Sequence, residues 1–206
     1  MVRLAISVEG LTEEKFIKQL IQPYLAKQNI DVKAINSHGS LTIAKVRKEL
    51  NRLAYGFDYV STLYDFYGFK GKKIGETKAG LEQRIVASVS ETQREKIIPY
   101  VQMYEFEGLL FSSPEAIESS IGQRGLSKWA ANILHQFSDN PEAINNSEAT
   151  APSKRLINEV NMYLKTTHGP NIAKEIGVDG LRASCTGFDN WLLLLEALEM
   201  RLNEDV

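Results

Sequence analysis

One short segment, Tyr59–Asp65 (YVSTLYD), contributes most to the predicted fold of this chain. Its β-branched and aromatic residues are typical of a buried strand, and it ends on a carboxylate followed by a glycine-rich loop. Leu4–Val8 and Ile30–Ile35 have similar character, and Ile97–Tyr104, with Pro99 near its start, predicts a further strand. The first half of the chain is therefore expected to contain a four-stranded sheet.

Helical patterns alternate with these strands. Apolar residues recur at helical spacing after the first strand, in Leu41–Leu53 and in Thr77–Val89. Strands alternating with helices favour βαβ units, so the predicted fold class is α/β, a mostly parallel sheet flanked by helices. Beyond Pro114 the pattern is helical, with turns expected at sites such as Gly169-Pro170. We expect an α/β core over residues 1–113 and a helical extension over 114–206, packed on it as part of one compact unit.

The composition is that of an ordinary globular protein. The 206 residues are 43% hydrophobic and 24% charged, which suits one large domain or one domain with an extension. The apolar runs are too short to span a bilayer, and the beginning of the chain does not resemble a signal peptide. The single cysteine, Cys185, excludes an internal disulfide and a cysteine zinc site. We expect no membrane association and a cytoplasmic location.

The charge balance limits how this chain binds nucleic acid. Its formal net charge is −2, whereas domains that bind nucleic acid unaided are usually basic. Affinity that does not depend on sequence is therefore expected to be weak. A bound metal ion or a partner would have to supply positive charge, which counts against a nuclease that works alone.

Acidic side chains follow three of the predicted strands. Glu9 follows the first strand, Asp65 ends the third, and Glu105 and Glu107 follow the fourth. Because ligands of open α/β sheets bind at the carboxyl ends of strands, these carboxylates are candidate ligands and catalytic groups around Mg²⁺ or Mn²⁺. Either Glu105 or Glu107 would serve as a ligand, a base or a second-metal ligand. The alternative is that these residues are only turn residues or charges at helix N-termini.

A glycine-rich basic loop follows Asp65 and carries Lys70, Lys72 and Lys73. Such a loop is a candidate for binding substrate phosphates, and the alternative is a solvated mobile loop. Gly10, directly after Glu9, would permit a tight turn or a close approach of the backbone to substrate.

A second candidate anion site lies at Pro152–Arg155. Ser153 is expected to cap a helix there, so that the first backbone N–H groups, with Lys154 and Arg155, would bind a phosphate. An ordinary surface helix start explains the same residues.

The chain resembles a known family, the uncharacterised "domain of unknown function 4276" family, which looks TOPRIM-like and is distantly similar to OLD-type nucleases. The resemblance extends over nearly the whole chain. The matching stretches are Val8–Glu13, Leu63–Gly68, Pro99–Gln102, Glu105–Phe111, Pro152–Arg155, Ile172–Gly177 and Cys185–Trp191.

The resemblance implies a Mg²⁺ site built on the sheet. TOPRIM enzymes place a glutamate after the first strand, which Glu9 matches, and an Asp-x-Asp after a later strand, where Asp65 matches the first aspartate. Tyr67 occupies the second aspartate position, and Glu105 or Glu107 would have to compensate. Members are often encoded beside AAA-type ATPases, which implies an ATPase partner; the oligomeric state does not follow from the sequence.

Three functions compete. The leading hypothesis is a Mg²⁺-dependent nuclease or phosphoryl-transfer subunit acting on nucleic acid, in phage defence with an ATPase partner. The second is a non-catalytic TOPRIM-like partner subunit of an ATPase complex, which Tyr67 and the near-neutral charge favour. A nucleotide-binding domain comes last, because the sequence contains neither G-x-G-x-x-G nor G-x-x-x-x-G-K-[ST]. Whether the substrate is DNA or RNA does not follow from the sequence.

Overall fold

The architecture is a parallel sheet with helices on both faces. The computed structural model describes residues 1–145 and 147–204. Three long strands, β1 (Val2–Val8), β2 (Ile30–Asn36) and β3 (Tyr59–Asp65), lie in the order β2-β1-β3. Two short strands, β4 (Ile97–Ile98) and β5 (Val101–Gln102), both pair with β3, and every pairing between these strands is parallel. The predicted fold class is confirmed.

The fourth strand is interrupted, so the prediction of one continuous strand over Ile97–Tyr104 is wrong. Pro99 has no N–H to donate to a ladder, and it separates β4 from β5. The Thr62 side chain bridges the gap, because its Oγ1 accepts from the Tyr100 N–H at 2.8 Å and donates to the Tyr100 carbonyl at 2.9 Å. On this side β3 is therefore paired first with β4, then bonded through Thr62 to Tyr100, and then paired with β5.

The helices of the first half lie where the sequence predicts them, although α3 begins at Ile43 rather than Leu41 and α4 at Lys78 rather than Thr77. The helix after β1 passes through a π-helical segment before Pro23, an arrangement that accommodates the missing proline N–H. Thr42 and Thr77 cap the next two helices by accepting from the N–H groups of Lys45 and Gly80. The elements are α1 (Leu11–Phe16), the π-helical segment Ile17–Ile21, α2 (Gln22–Ala26), α3 (Ile43–Gly56), α4 (Lys78–Ser88) and the 3₁₀ segment Glu91–Lys96.

The second half is helical, as predicted. Its elements are the 3₁₀ segment Phe106–Ser112, α5 (Pro114–Ile121), α6 (Leu126–Gln136), the 3₁₀ segments Pro141–Ala143 and Glu148–Thr150, α7 (Pro152–Glu159), α8 (Lys165–Ser184), α9 (Thr186–Glu196) and α10 (Leu198–Glu204). Residues 146, 205 and 206 of the predicted extension lie outside the described residues. The division at residue 113 stays a prediction.

Gly169 and Pro170 do not form a turn, which corrects the sequence prediction. Both lie inside α8, where Pro170 leaves the carbonyl of Thr166 without its helical partner. The Lys15 ammonium of α1 donates to that carbonyl at 2.8 Å. A side chain from the first half of the chain therefore replaces the hydrogen bond that proline removes.

Two apolar clusters lie on opposite faces of the sheet. Alternate β1 residues enter different clusters: Leu4 and Ile6 pack with α1, α2 and the helices of the second half, whereas Ala5 packs with α3 and α4. The larger cluster joins residues distant in sequence, such as Phe16, Phe106 and Phe188. The molecule therefore has three layers, with the helices of the second half forming much of one.

Within the described part of the chain, every helix is too short or too polar to cross a membrane.

Candidate functional site

The carboxyl ends of β1 and β3 place acidic side chains at one edge of the sheet. Glu9 follows β1, and Asp65 is the last residue of β3. Glu105 lies just beyond β5, and Glu107 is in the first turn of the 3₁₀ segment Phe106–Ser112. Because these strands are parallel, the residues that follow them lie at the same edge. Four candidate ligands from the sequence are thus brought into one region, which we call the acidic edge.

Backbone N–H groups hold two of these carboxylates in place. Asp65 Oδ1 accepts from the N–H of Phe106 at 2.8 Å, which ties the end of β3 to the 3₁₀ segment. Glu105 Oε2 accepts from the N–H of Ser153 at 2.9 Å, at the start of α7. These two bonds fix the Asp65 and Glu105 carboxylates at the acidic edge.

The acidic edge is electrostatically strained. Burial raises the pKa of Asp65 well above its usual range, and the carboxylates of Glu13, Glu107, Glu9 and Glu105 raise it further. Burial also raises the pKa of Glu107 to about 7, against the opposing effect of the Lys165 ammonium. Several negative charges therefore share a partly desolvated space, and a bound cation would relieve their repulsion.

Glu9 has a buried carboxylate oxygen, Oε2, that lacks a hydrogen-bond donor among the described residues. Burial raises the pKa of Glu9, while the ammonium groups of Lys70, Lys165 and Lys45 oppose that shift. The carboxylate packs against Gly68, where a Cβ would overlap it. A buried carboxylate oxygen without a donor needs a cation or a proton.

Sequence reasoning missed two residues of the acidic edge. Glu13 is buried and accepts from the Gly10 N–H at 3.0 Å. Its position three residues after Gly10 at a helix start, the glutamate position of a capping box, is the pattern that would have suggested that its side chain folds back toward Glu9. Lys165 forms an ion pair with Glu107 at 3.4 Å. Nothing in the sequence indicates that Lys165 lies at the acidic edge, because Lys165 and Glu107 are distant in sequence and only the tertiary fold brings them together.

The basic loop after Asp65 is only partly directed at the acidic edge. Lys70 is exposed, and its positive charge lowers the pKa of Glu9 against the larger effect of burial. Lys72 turns back onto its own loop, donating to the Phe69 carbonyl at 2.6 Å and lying over the Phe66 ring. Lys73 is exposed beyond it. A role for the three lysines in phosphate binding stays a prediction.

The predicted anion site at the start of α7 differs from expectation in one respect. Ser153 does not cap the helix; Ala151 occupies the N-cap position, and Ser153 Oγ is buried without a hydrogen-bond partner among the described residues. Lys154 is exposed, whereas Arg155 donates to the Thr150 carbonyl at 2.7 Å and lies over the Phe137 ring. The Ser153 N–H is already bonded to Glu105, so binding of an anion there stays a prediction.

Tyr67 does not replace the second aspartate chemically. Its hydroxyl donates to the Asn145 side chain, and its ring packs on Tyr104 with centroids 5.2 Å apart. The position therefore supplies an aromatic wall and a hydroxyl rather than a carboxylate. Any acidic ligand must come from elsewhere on the edge.

The donor chemistry of the acidic edge fits a hard divalent cation. Mg²⁺ binds through one or two carboxylates plus water and substrate phosphate, so it does not need a cage made only of protein groups. Among residues 1–145 and 147–204, no three Asp, Glu, His or Cys side chains are placed to ligate one ion together. The acidic edge therefore suits an ion that keeps most of its water ligands and is held by one or two carboxylates. Glu9, whose Oε2 has no hydrogen-bond donor among the described residues, is one of these carboxylates.

The fold and the edge define a parallel α/β protein with clustered carboxylates at the ends of its strands. The chain belongs to the family described as Domain of unknown function (DUF4276), whose model matches residues 8–196. The family resemblance seen in the sequence is confirmed.

Two solved structures of the C-terminal region of the Xanthomonas campestris pv. campestris OLD protein are also similar. One, phased with platinum, is 16% identical with a TM-score of 0.43, and covers 98% of this chain and 97% of that one. The other, phased with iodine, is 16% identical with a TM-score of 0.42, and covers 96% and 97%. No curated protein matches the sequence.

Proposed function

We propose that this chain is a Mg²⁺- or Mn²⁺-dependent nuclease or phosphoryl-transfer subunit acting on nucleic acid. The observation that carries the proposal is the acidic edge, where burial and neighbouring carboxylates raise the pKa of Asp65 and where the buried Glu9 Oε2 has no hydrogen-bond donor among the described residues. Such a cluster costs free energy unless it serves a cation. Its position at the carboxyl ends of parallel strands is where α/β proteins bind ligands.

The chain offers separate groups for holding a metal ion and for moving protons. Glu9 and Asp65 are the groups that would hold the ion, and the carboxylates of Glu13, Glu105 and Glu107 lie around them. When bound, Mg²⁺ or Mn²⁺ would polarise a phosphoryl oxygen and lower the pKa of a coordinated water. Glu107, with a pKa of about 7, holds or releases a proton near neutral pH. Lys165, paired with it, contributes positive charge beside the carboxylates.

A second candidate function is a non-catalytic subunit that retains the fold. The observation that favours it is Tyr67, whose hydroxyl and ring are engaged by Asn145 and Tyr104 where the TOPRIM pattern has an aspartate. In a non-catalytic subunit of this kind, the acidic edge would bind a metal ion but the protein would not cleave nucleic acid. The two functions differ in a single measurable property, cleavage.

The proposed biological setting is phage defence with an AAA-type ATPase partner. It follows from the resemblance of the sequence to a family often encoded beside such ATPases. Positive charge from that partner would offset the net charge of −2 and raise affinity for nucleic acid. Co-purification with the product of a neighbouring ATPase gene tests the partnership directly.

The cleavage test compares Asp65→Asn with wild type. Plasmid and single-stranded substrates are incubated with Mg²⁺, with Mn²⁺ or with chelator, and with or without the ATPase. Asparagine keeps an oxygen that accepts from Phe106, so the fold should persist while cleavage falls by about a hundredfold or more. Asp179→Asn is the matched control, since Asp179 is exposed on α8, and it should cleave like wild type.

Two outcomes would reject the nuclease proposal. Cleavage that survives Asp65→Asn unchanged would show that the acidic edge is not the site. Absence of cleavage under every condition would favour the non-catalytic subunit, and calorimetry with Mn²⁺ would then show whether the edge still binds metal.

A further inference from the structure

Helix α3 carries mostly positive charge, and its fully exposed charged side chains, Arg47, Lys48 and Arg52, are all cations. It carries the cations Lys45, Arg47, Lys48 and Arg52 and one acid, Glu49. Glu49 is turned toward the sheet, where its carboxylate accepts from the hydroxyls of Ser7 and Ser37, the latter at 2.7 Å. Since the whole chain is slightly acidic, this concentration of exposed cations on one helix is distinctive.

Three of the cations share one side of the helix with an exposed aromatic ring. At 100° per residue, Lys45, Lys48, Arg52 and Tyr55 fall within an arc of about 80°. The three cations line one open surface depression together with the half-buried Glu49. Tyr55 follows at the end of the row and is 79% exposed. We call these four residues the α3 stripe.

Lys48, Arg52 and Tyr55 are the members of the α3 stripe that are exposed to a ligand, whereas the Lys45 ammonium donates to backbone carbonyls. Within the described part of the chain, neither Lys48 nor Arg52 forms an ion pair, and both are exposed. A large exposed ring such as that of Tyr55 contributes nothing to the core. Unpaired cations followed by an exposed aromatic ring are the combination that proteins use to bind a nucleic-acid strand without reading its sequence.

The α3 stripe begins beside the acidic edge. Lys45 Nζ donates to the Gly39 carbonyl at 3.1 Å, and the N–H of Gly39 bonds to the carbonyl of Glu9. From Lys45 to Tyr55 the helix rises about 15 Å. A strand lying along the stripe would therefore have one end at the carboxylates and the other at the Tyr55 ring.

We propose that the α3 stripe binds a single strand of nucleic acid, with Lys48 and Arg52 on its phosphates and Tyr55 stacked on a base, and leads that strand to the acidic edge. The proposal rests on the proposed function and adds a substrate class to it. A single strand is favoured over a duplex because stacking on Tyr55 requires an unpaired base. DNA and RNA share this chemistry, and the test distinguishes them.

The test measures binding without cleavage. Fluorescence anisotropy of labelled single-stranded DNA and RNA oligonucleotides is recorded with the full chain in chelator, across a salt series. Lys48→Glu combined with Arg52→Glu should weaken binding about tenfold or more, and it should reduce the slope of log affinity against log salt by about 1.4. Tyr55→Ser should weaken binding severalfold, with little change in that slope.

The control is Arg124→Glu combined with Lys128→Glu. These two exposed cations lie at and just before the start of α6, and reversing them changes the net charge by the same amount. Binding by this variant should stay within about twofold of wild type. Equal weakening in the two double variants would overturn the proposal, because it would show a general charge effect.

The remaining outcomes separate this inference from the nuclease proposal. Failure of wild type to bind either single strand, or tighter binding to duplex or to anionic vesicles, would overturn the inference. Single-strand binding that maps to the α3 stripe in a protein that never cleaves would support the stripe and reject the nuclease. Cleavage lost in Asp65→Asn but unchanged in the stripe variants at limiting substrate would support the nuclease and reject the stripe.

Discussion

At the scale of single residues, the absence of a side chain at position 68 matters most. Gly68 lies in the loop that follows β3, and its backbone is not in the left-handed region, so an alanine is tolerated by the backbone itself. What an alanine meets is the Glu9 carboxylate. The three atoms nearest to the added Cβ all belong to Glu9, so the substitution mainly displaces that carboxylate.

Gly68→Ala is expected to displace Glu9 and weaken metal binding about tenfold or more, while the free energy of unfolding changes by about 1 kcal/mol or less. Isothermal calorimetry with Mn²⁺ and thermal unfolding in chelator measure the two effects. Gly56→Ala is the matched control, since a Cβ there meets nothing within 4 Å. Unchanged affinity in Gly68→Ala would show that Glu9 does not hold the ion.

At the scale of elements, a polar network fastens the second half to α2. Arg182 of α8 donates to Asp189 and Glu196 of α9, each at 2.6 Å. Tyr24 of α2 also donates to Glu196 at 2.6 Å. Burial alone would raise the pKa of Glu196, but the hydrogen bonds from Tyr24 and Arg182 outweigh it and hold that pKa below its usual range.

This network predicts the sign of a pH effect on stability. Because the pKa of Glu196 is lower in the folded chain than the value of about 4.3 in the unfolded chain, its contribution is present above about pH 4.3. The contribution is lost as pH falls through the folded pKa. Urea unfolding between about pH 6 and pH 3 should show a smaller loss of stability in Glu196→Gln than in wild type.

Glu95→Gln is the control for this comparison, because Glu95 is exposed. It should follow wild type at every pH. A loss of stability in Glu196→Gln that matches wild type at low pH would mean that the network contributes nothing to the pH dependence.

The sequence predicted the elements whose causes are local. The strands β1, β2 and β3 follow from runs of β-branched residues, and α3 and α4 from apolar residues at helical spacing. The continuity of α8 through Pro170 was not predictable, because the compensating donor, Lys15, lies 151 residues from the carbonyl that it satisfies. Lys165 at the acidic edge was missed for the same reason. Glu9 and Asp65 were identifiable because each directly follows or ends a strand.

At the scale of the whole molecule, the second half completes the core of the sheet. Trp191 of α9 stacks on Tyr100 with centroids 4.8 Å apart, and its indole N–H donates to Ser61 Oγ of β3 at 2.8 Å. Ser61 and Tyr100 both belong to the predicted α/β core. The apolar faces of α8 and α9 are therefore buried by residues from the first half.

A fragment of residues 153–206 is accordingly expected not to fold alone. It contains one tryptophan, Trp191, whose emission should be that of a solvated indole, with no cooperative unfolding by circular dichroism. Full-length Trp129→Phe, which also retains only Trp191, is the comparison and should emit as a buried indole. A monomeric fragment that unfolds cooperatively would contradict this expectation and support a separate domain.

The pairing of Trp191 with Ser61 also bears on how fast the chain folds. The two residues are 130 positions apart, and the sheet beneath them is built from parallel strands joined by crossovers. Chains dominated by contacts between distant residues pass a high entropic barrier before those contacts are formed, and they fold in milliseconds to seconds rather than microseconds. During synthesis the part of the apolar face that α9 covers stays exposed until α9 has left the ribosome. A nascent chain stalled before Trp191 is therefore the form most exposed to chaperones and proteases.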